Sequence, residues 1–410
     1  ELLRNEGHIG VITPRNLFLA KGSKPFREEL VNNSNQKVIF LLNNKKWVFD
    51  DVHPQFSFAL VNIQKQLNNL KKYISLTGPF SSYKEFKSKS KVNLKKINSK
   101  NALTWNKTIS FPLLISDISI EVFEKMRKHP DLYSTKYNDW LCHTVQGDIN
   151  ATFGRAFFNS EITKKSKNYW PVYAGESFDI WNSDTKKYYT YANKDKLIEH
   201  LQKQRKRSYN RTNSIYSNFD KKIIDNFKTL PCFDTRIAFR DITNRTNKRT
   251  VIVSLVPSEV FLANQAPFLL WSKGNEQDQA YLLGVMSSKI FDWYARRFVE
   301  LHLNFYLLNS FPIPRLNKKD PIRKRIIELS AKLAFVDQRY SNWAHKIGIK
   351  FNEIKDNQKQ DYIVELNALV AMAYGLERKD INEIFETFHK GWEFEDELKE
   401  TISIFEKLKK

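Results

Sequence analysis

Glycine is scarce in this chain, with 12 residues in 410. None of them builds a Gly-x-Gly-x-x-Gly turn or a Walker loop, so neither common phosphate-cradling device is present. Cysteine is scarcer still. Cys142 and Cys232 stand far apart with no histidine cluster around them, which argues against a zinc site or a disulfide framework and for a reducing cytoplasm. No apolar run reaches the roughly 18 residues of a membrane span, no signal peptide opens the chain, and no internal repeat is visible. His8, His129, His143, His200, His302, His345 and His389 are scattered. None has metal-ligand spacing to a cysteine or carboxylate, so they read as structural or surface residues. No Ser/His/Asp arrangement and no Asp…Glu-x-Lys nuclease pattern stands out.

What the chain does have is apolar bulk and positive charge. Hydrophobic residues make up 41% and aromatics 14%, with 30 Phe, 17 Tyr and 9 Trp, enough to fill cores in two or three domains. Trp140, Trp170, Trp181, Trp271 and Trp293 lie in apolar surroundings and read as core. Lys and Arg total 67 against 45 acids, a net charge of +22. Such an excess points to a polyanionic partner, nucleic acid first. A membrane surface is the poorer fit, because no long basic amphipathic helix shows a clean apolar face.

Residues 1–75 read as the end of an α/β sheet: a buried strand over Ile9 to Ile12, a helix over Lys24 to Val31, and strands over Val38 to Leu42 and Phe56 to Ile63. The last of these is almost wholly apolar, as in strands of a doubly wound sheet covered on both faces. The chain opens as if mid-helix, so the sheet is expected to begin before it. Residues 76–108 contain Lys84 to Lys100, read as a basic linker lying against phosphates or in solvent. Residues 109–316 are mixed. A strand is expected over Phe111 to Ile118, a helix over Ile120 to Lys128, half-buried strands between Val172 and Tyr191, and a basic helix over Leu197 to Tyr209. Strands over Arg236 to Phe239 and Thr250 to Val256 flank a polar turn, and a long amphipathic helix covers Ala280 to Phe298. Residues 317–410 carry helical periodicity, with Gly375 expected as a helix C-cap.

Several segments, in order, resemble one family. Gly7-His-Ile-Gly-Val-Ile-Thr-Pro14, with Phe26-Arg27 and Leu30 behind it, resembles the late motifs of gamma-class adenine-specific DNA methyltransferases, and Val48 to Val61 resembles the strand pair closing their sheet. Gln146 to Phe158 and Pro171 to Phe178 are similar to the opening of the target-recognition domain in fused restriction–modification enzymes of type IIG and type ISP. Arg236 to Ile242, Thr246 to Thr250 and Val256-Pro257 resemble its central hairpin. Leu282 to Ser288 through Phe311-Pro-Ile-Pro314 resembles its closing helix, and Glu365 to Val370 with Ala373 to Leu376 resembles the helical end. The resemblance implies the remnant of a Rossmann-like methyltransferase sheet, then a mixed α+β target-recognition domain and a C-terminal helical region, in a prokaryotic cytoplasmic enzyme.

The same resemblance implies base flipping and methyl transfer from S-adenosylmethionine to the adenine amine, on double-stranded DNA. The cofactor motif and the catalytic Asn-Pro-Pro-aromatic are not in this sequence. They are expected in a preceding region or a partner subunit, and no cofactor is expected on this chain alone. The family places an aromatic ring over the flipped base in the stretch holding Phe49, His53 and Phe56, which otherwise are core residues of the strand pair. Sequence readout calls for Arg, Lys, Asn or Gln at base edges. The candidates are Asn244, Arg245, Lys248 and Arg249 in the polar turn, and Asn150, Thr152 and Arg155 in the Gln146 to Phe158 segment. Arg236 and Arg240 either read bases or pair with Asp234 or Asp241. Lys203, Arg205, Lys206, Arg207 and Arg211 form the densest positive run, suited to phosphates or to a solvated helix face. Two other classes remain open: a non-catalytic DNA-binding specificity subunit, and an RNA-binding protein.

Overall fold

The structure is a computed structural model that describes residues 3–66, 70–90, 96–137, 139–245, 247–350, 354–388 and 394–409. The chain forms two compact units, Glu1–Lys128 with Arg296–Phe298, and His129–Ala295 with Val299–Lys410. No helix among the described residues is long and apolar enough to cross a membrane.

The first unit is built on five strands, β1 His8–Pro14, β2 Ser34–Leu42, β3 Ser57–Lys65, β4 Tyr73–Phe80 and β5 Ile97–Asn98, in the order β1-β3-β2-β4-β5. Its helices are α1 Lys24–Asn33, α2 Tyr83–Lys89, α3 Ser99–Ala102 and α4 Asp117–Met126. β2 holds the centre because Val38, Phe40, Leu41 and Leu42 are all buried. It pairs in parallel only with β4, while the β1/β3, β2/β3 and β4/β5 pairs are antiparallel. The sheet is therefore mixed, not the parallel doubly wound sheet expected. β1 lies at an edge with Ile9 and Ile12 about half exposed, so the expected buried strand there is corrected. Gly78 (φ 89°) lets β4 pass β2 closely, since a Cβ there would meet the Phe40 carbonyl oxygen at 2.4 Å.

The expected linker is part of this unit. The Ser82 hydroxyl accepts from the Glu85 N–H and starts α2, and β5 pairs with β4. Lys84, Lys87 and Lys89 are exposed on α2, while residues 91–95 of the basic stretch lie outside the described residues. Of the strand expected over Phe111 to Ile118, Phe111 to Ile115 joins no ladder, and Asp117 and Ile118 open α4. Phe111 N–H donates to the Phe18 carbonyl, and Phe18, Phe111, Trp105, Phe123 and Phe298 form a chain of ring contacts. Arg27 is fully buried and donates to the carbonyls of Leu17, Ala20 and Thr108, fastening α1 to two loops.

The second unit carries two four-stranded sheets. β6 Leu141–Val145, β10 Arg236–Phe239, β11 Val253–Val256 and β13 Phe268–Lys273 form an antiparallel sheet ordered β11-β10-β13-β6. β7 Phe158–Asn159, β8 Tyr169–Tyr173, β9 Thr190–Asn193 and β12 Phe261–Leu262 form the other, ordered β12-β8-β9-β7. The expected hairpin strands are the β10/β11 pair, with Arg236 opposite Val256. Ser177 to Asn182, expected as a strand, forms turns instead.

The helices of this unit are α5 Lys194–Tyr209, α6 Lys221–Asp225, α7 Glu276–Ser287, α8 Lys289–Arg296, α9 Phe305–Leu308, α10 Pro321–Ala334, α11 Ser341–Ile347, α12 Asp356–Ala373, α13 Arg378–Glu386 and α14 Glu395–Lys409. The single amphipathic helix expected over Ala280 to Phe298 is two helices broken at Ser288, whose backbone is extended (ψ 153°). It is also buried all round rather than one-sided, because α10 and α12 cover α7. Gly375 (φ 68°) ends α12 as expected, with Leu376 N–H donating back to the Ala371 carbonyl. Trp140, Trp170, Trp181 and Trp293 are core residues, with Trp271 half-buried against Trp140. Cys142 and Cys232 are buried free thiols, and burial pushes both up to about 12, so neither is a nucleophile at neutral pH.

One buried carboxylate ties the helical region to the β8/β9 side of this unit. Asp184 accepts from the Lys186 backbone and ammonium, from the Tyr188 hydroxyl and from Arg339 Nη1 at 2.8 Å. Burial alone would raise its pKa, but these hydrogen bonds, led by Lys186 and Arg339, outweigh it and hold the group down to about 2. A depressed folded value means stability that is present above about pH 4 and lost as pH falls toward 2. Replacing Asp184 by Asn is expected to cost on the order of 2 kcal/mol at pH 7 and to flatten the unfolding profile across that acid window. Urea unfolding at pH 7, 4 and 3 reads both effects, and an unchanged acid limb would contradict the assignment.

Candidate nucleic-acid interface

In the second unit two of the sequence-predicted DNA segments are fastened to adjacent residues. The first is the turn around Asn150. Gln146 Nε2 donates to the Asn264 carbonyl at 2.7 Å, Ala151 N–H donates to Asn264 Oδ1, and Ile149 N–H donates to the Leu262 carbonyl. Gly147 allows this approach, since a Cβ there would meet the Ala263 carbonyl oxygen at 2.1 Å. The second is the polar loop Asp241 to Arg249. Asp241 N–H donates to the Gln265 carbonyl, and Leu303 N–H donates to the Asp241 carbonyl. The Asn264-Gln265 pair therefore holds both segments at one place on the unit.

Asn150, Thr152 and Arg155 are exposed on the first segment. Asn150 Oδ1 already accepts from the N–H groups of Thr152 and Phe153, at the start of the 3-10 turn Phe153–Phe157, which leaves its amide N–H donors for a base edge. In the second segment Lys248 is exposed, Asn244 and Arg245 are half-buried, and Thr246 lies outside the described residues. Arg245 sits 3.7 Å from Glu300. Arg249 turns inward. Its Nη2 donates to the carbonyls of Ser287 and Ser288, the break between α7 and α8, and Asp292 lies 3.6 Å from it. Asp292 also accepts from the Thr250 and Val251 N–H groups, so the loop's return is fixed from inside. Arg249 is therefore corrected from a base reader to an anchor.

Arg236 is corrected in the same way. Its Nη1 contacts both Asp148 oxygens at 2.9 Å, its Nη2 donates to the Val260 carbonyl, and its guanidinium lies over the Phe268 ring. The two side chains are 4% and 5% exposed. The partner is Asp148, not Asp234 or Asp241, and Asp148 also accepts from the Leu262 N–H. The pair thus seats the Asn150 turn on β10 and β12. Arg240 is half-buried, donates to the Phe178 carbonyl, and lies 3.6 Å from Asp179.

On α5, Leu197, Ile198, Leu201 and Arg205 form the inner face. Arg205 donates to Thr229, Gln202 and the carbonyls of Ile224 and Asn226, so it braces α6 and leaves the list of phosphate contacts. Lys203, Lys206, Arg207 and Arg211 are exposed. A cleft of about 580 Å3 beside α5 is lined by Lys194, Lys203 and Lys206 with Phe227 and Phe233. Each of those lysines faces a carboxylate, Asp195, Glu199 or Asp225, so the cleft is close to neutral and builds no anion site.

In the first unit, Phe49, His53 and Phe56 share the loop between β2 and β3. The residue that shapes this loop, Asn43, was not legible as a site residue. Fully buried, it donates through Nδ2 to the Phe49 and Val52 carbonyls and accepts through Oδ1 from the Val48 and Phe49 N–H groups. Phe56 is 50% exposed and His53 is exposed, while Phe49 is partly used up in an edge contact with Phe58 at 4.7 Å. Lys45 and Lys46 on the same loop hold positive φ of 54° and 61°, a strain that non-glycine residues rarely carry.

Among the described residues no group of three His, Cys, Asp or Glu is placed to hold a metal. His389 lies outside the described residues. β1 runs into the 3-10 turn at Arg15, whose guanidinium is buried, and β4 runs into α2 through Ser81 and Ser82. Neither is a glycine-rich strand-to-helix turn.

No protein-family model matches the sequence, and no curated protein does. Solved structures do show similarity. The type IIL restriction–modification enzyme MmeI in complex with DNA aligns at 11% identity over 93% of this chain and 49% of its own, with a TM-score of 0.46. The type IIG restriction endonuclease BpuSI aligns at 13% identity over 91% of this chain and 48% of its own, with a TM-score of 0.33. A nuclease-deletion mutant of the type ISP restriction–modification enzyme LlaGI, in complex with a DNA substrate mimic, aligns at 10% identity over 86% of this chain and 30% of its own, with a TM-score of 0.42. The chain thus spans about half the length of the first two enzymes and 30% of the third.

Proposed function

We propose that this chain is the DNA-recognition part of a site-specific adenine methyltransferase of the restriction–modification type. The observation that carries the reading is the convergence of the Asn150 turn and the Asp241 to Arg249 loop on Asn264 and Gln265, in a chain of net charge +22. Two polar, partly exposed segments held rigidly side by side suit groove readout. The surrounding excess of Lys and Arg supplies phosphate contacts that hold register.

On this reading the division of labour is simple. Thr152, Asn244 and Lys248 meet the grooves, and Arg155, Arg207 and Arg211 meet phosphates. The Asn43-shaped loop presents Phe56 and His53 to a base taken out of the stack, which must be capped by a flat ring. S-adenosylmethionine and the catalytic Asn-Pro-Pro-aromatic belong to residues outside this chain, which alone transfers no methyl group.

Equilibrium binding of the 410-residue chain to duplex DNA, single-stranded DNA and duplex RNA of one sequence tests the reading. Preference for duplex DNA, with affinity falling steeply as salt rises, is expected. Equal or tighter binding to RNA would contradict it.

A further inference from the structure

Phe153 is 86% exposed, more than any other large apolar side chain among the described residues; the next stand at 62%. Leaving an aromatic side chain in water forgoes the stabilisation its burial would give. Here the local backbone prevents it from turning inward. Asn150 Oδ1 accepts from the Phe153 N–H itself, and Gly154 packs so closely that a Cβ would meet Ile149 Cδ1 at 2.3 Å. Asn264 and the buried Arg236–Asp148 pair hold the preceding residues to the core. The ring therefore stands out from a rigid turn, with exposed Thr152 before it and exposed Arg155 two residues after it.

We infer that Phe153 is a wedge that inserts between stacked bases of duplex DNA, with Arg155 contacting the adjoining phosphate. Apolar side chains inserted at base steps unstack and kink the duplex, and a ring fixed in advance loses little conformational freedom in doing so. The inference rests on the DNA-recognition reading above and adds to it a deformation of the duplex at the Asn150 turn. A wedge makes sequence selective through the ease of unstacking a given step, with no hydrogen bond to the base.

The test uses the full chain and short duplexes carrying 2-aminopurine, a base whose emission rises when it is unstacked. The wild-type chain is expected to raise that emission on binding. Phe153→Ala is expected to bind about ten-fold more weakly, to give no rise, and to keep the wild-type salt slope, while Phe153→Trp keeps both affinity and signal. Because the ring is exposed, the alanine variant should melt as the wild type does, which a thermal scan checks. Phe153→Ala binding duplex DNA as well as the wild type, with the same emission rise, would overturn the wedge and leave DNA recognition standing. Loss of affinity on single strands only would also overturn it. Failure of the wild-type chain to bind any duplex would remove the underlying reading and the wedge together.

Discussion

Arg236→Ala is expected to cost about 3–5 kcal/mol of folding stability, because it strands the Asp148 carboxylate in the interior. That is a large part of the roughly 5–15 kcal/mol by which a domain is stable. The loss is expected at every salt concentration, since a pair this buried is poorly screened. A second consequence is local. Asp148 accepts from Leu262 N–H as well as from Arg236, and the Asn150 turn follows directly, so the turn should loosen even where the unit stays folded. Replacing both partners by apolar residues of similar volume, Arg236→Met with Asp148→Leu, should recover most of the stability. Thermal or urea unfolding of the two variants decides the matter. An alanine variant with wild-type stability and lost DNA binding would restore Arg236 to the base-reading role that its sequence position suggested.

Changing Arg155, Arg207 and Arg211 together to alanine carries the other large effect, and it is electrostatic. All three are exposed, so the fold should be unaffected. If each neutralises one phosphate, the slope of log affinity against log salt should flatten by about 2.7, and binding near 0.1 M salt should weaken by about two orders of magnitude. The loss should be similar for all sequences, because phosphate contacts position rather than specify. An unchanged slope would show that DNA lies on another face. The contrast with Arg236 is diagnostic: one substitution acts through stability at all salt concentrations, the other through affinity in a salt-dependent way.

The contrast also shows what the sequence could tell. Positive charge was countable, but which guanidinium groups reach solvent was not. Arg236 finds its partner 88 residues away, and Arg249 finds carbonyls 38 and 39 residues away. There was a local hint for Arg236, since Ile237, Ala238 and Phe239 follow it in a strand with no polar alternation. Arg205 had one too, at the spacing of Leu197, Ile198 and Leu201 on the inner face of α5. The β10/β11 hairpin, α5, and the glycine stop of α12 were legible because local pattern and tertiary role agree there. The α7/α8 break was not, because Ser287-Ser288 is compatible with helix and the break frees carbonyls that Arg249 takes up. Exposure of β1 is not legible in the sequence for a similar reason. An apolar strand at a sheet edge reads like one in the middle. Phe153 left a faint mark, an aromatic beside a glycine and outside any periodic run.

The central claim is that the two segments held by Asn264 and Gln265 choose a DNA sequence. Selection of the 410-residue chain against a pool of random duplex DNA, sequenced across a series of salt concentrations, tests it most directly. Enrichment of one short adenine-containing motif that persists as salt rises and non-specific binding falls away is expected. Binding that fades with salt and never enriches a motif would contradict it, and would leave a basic protein that holds DNA without reading it.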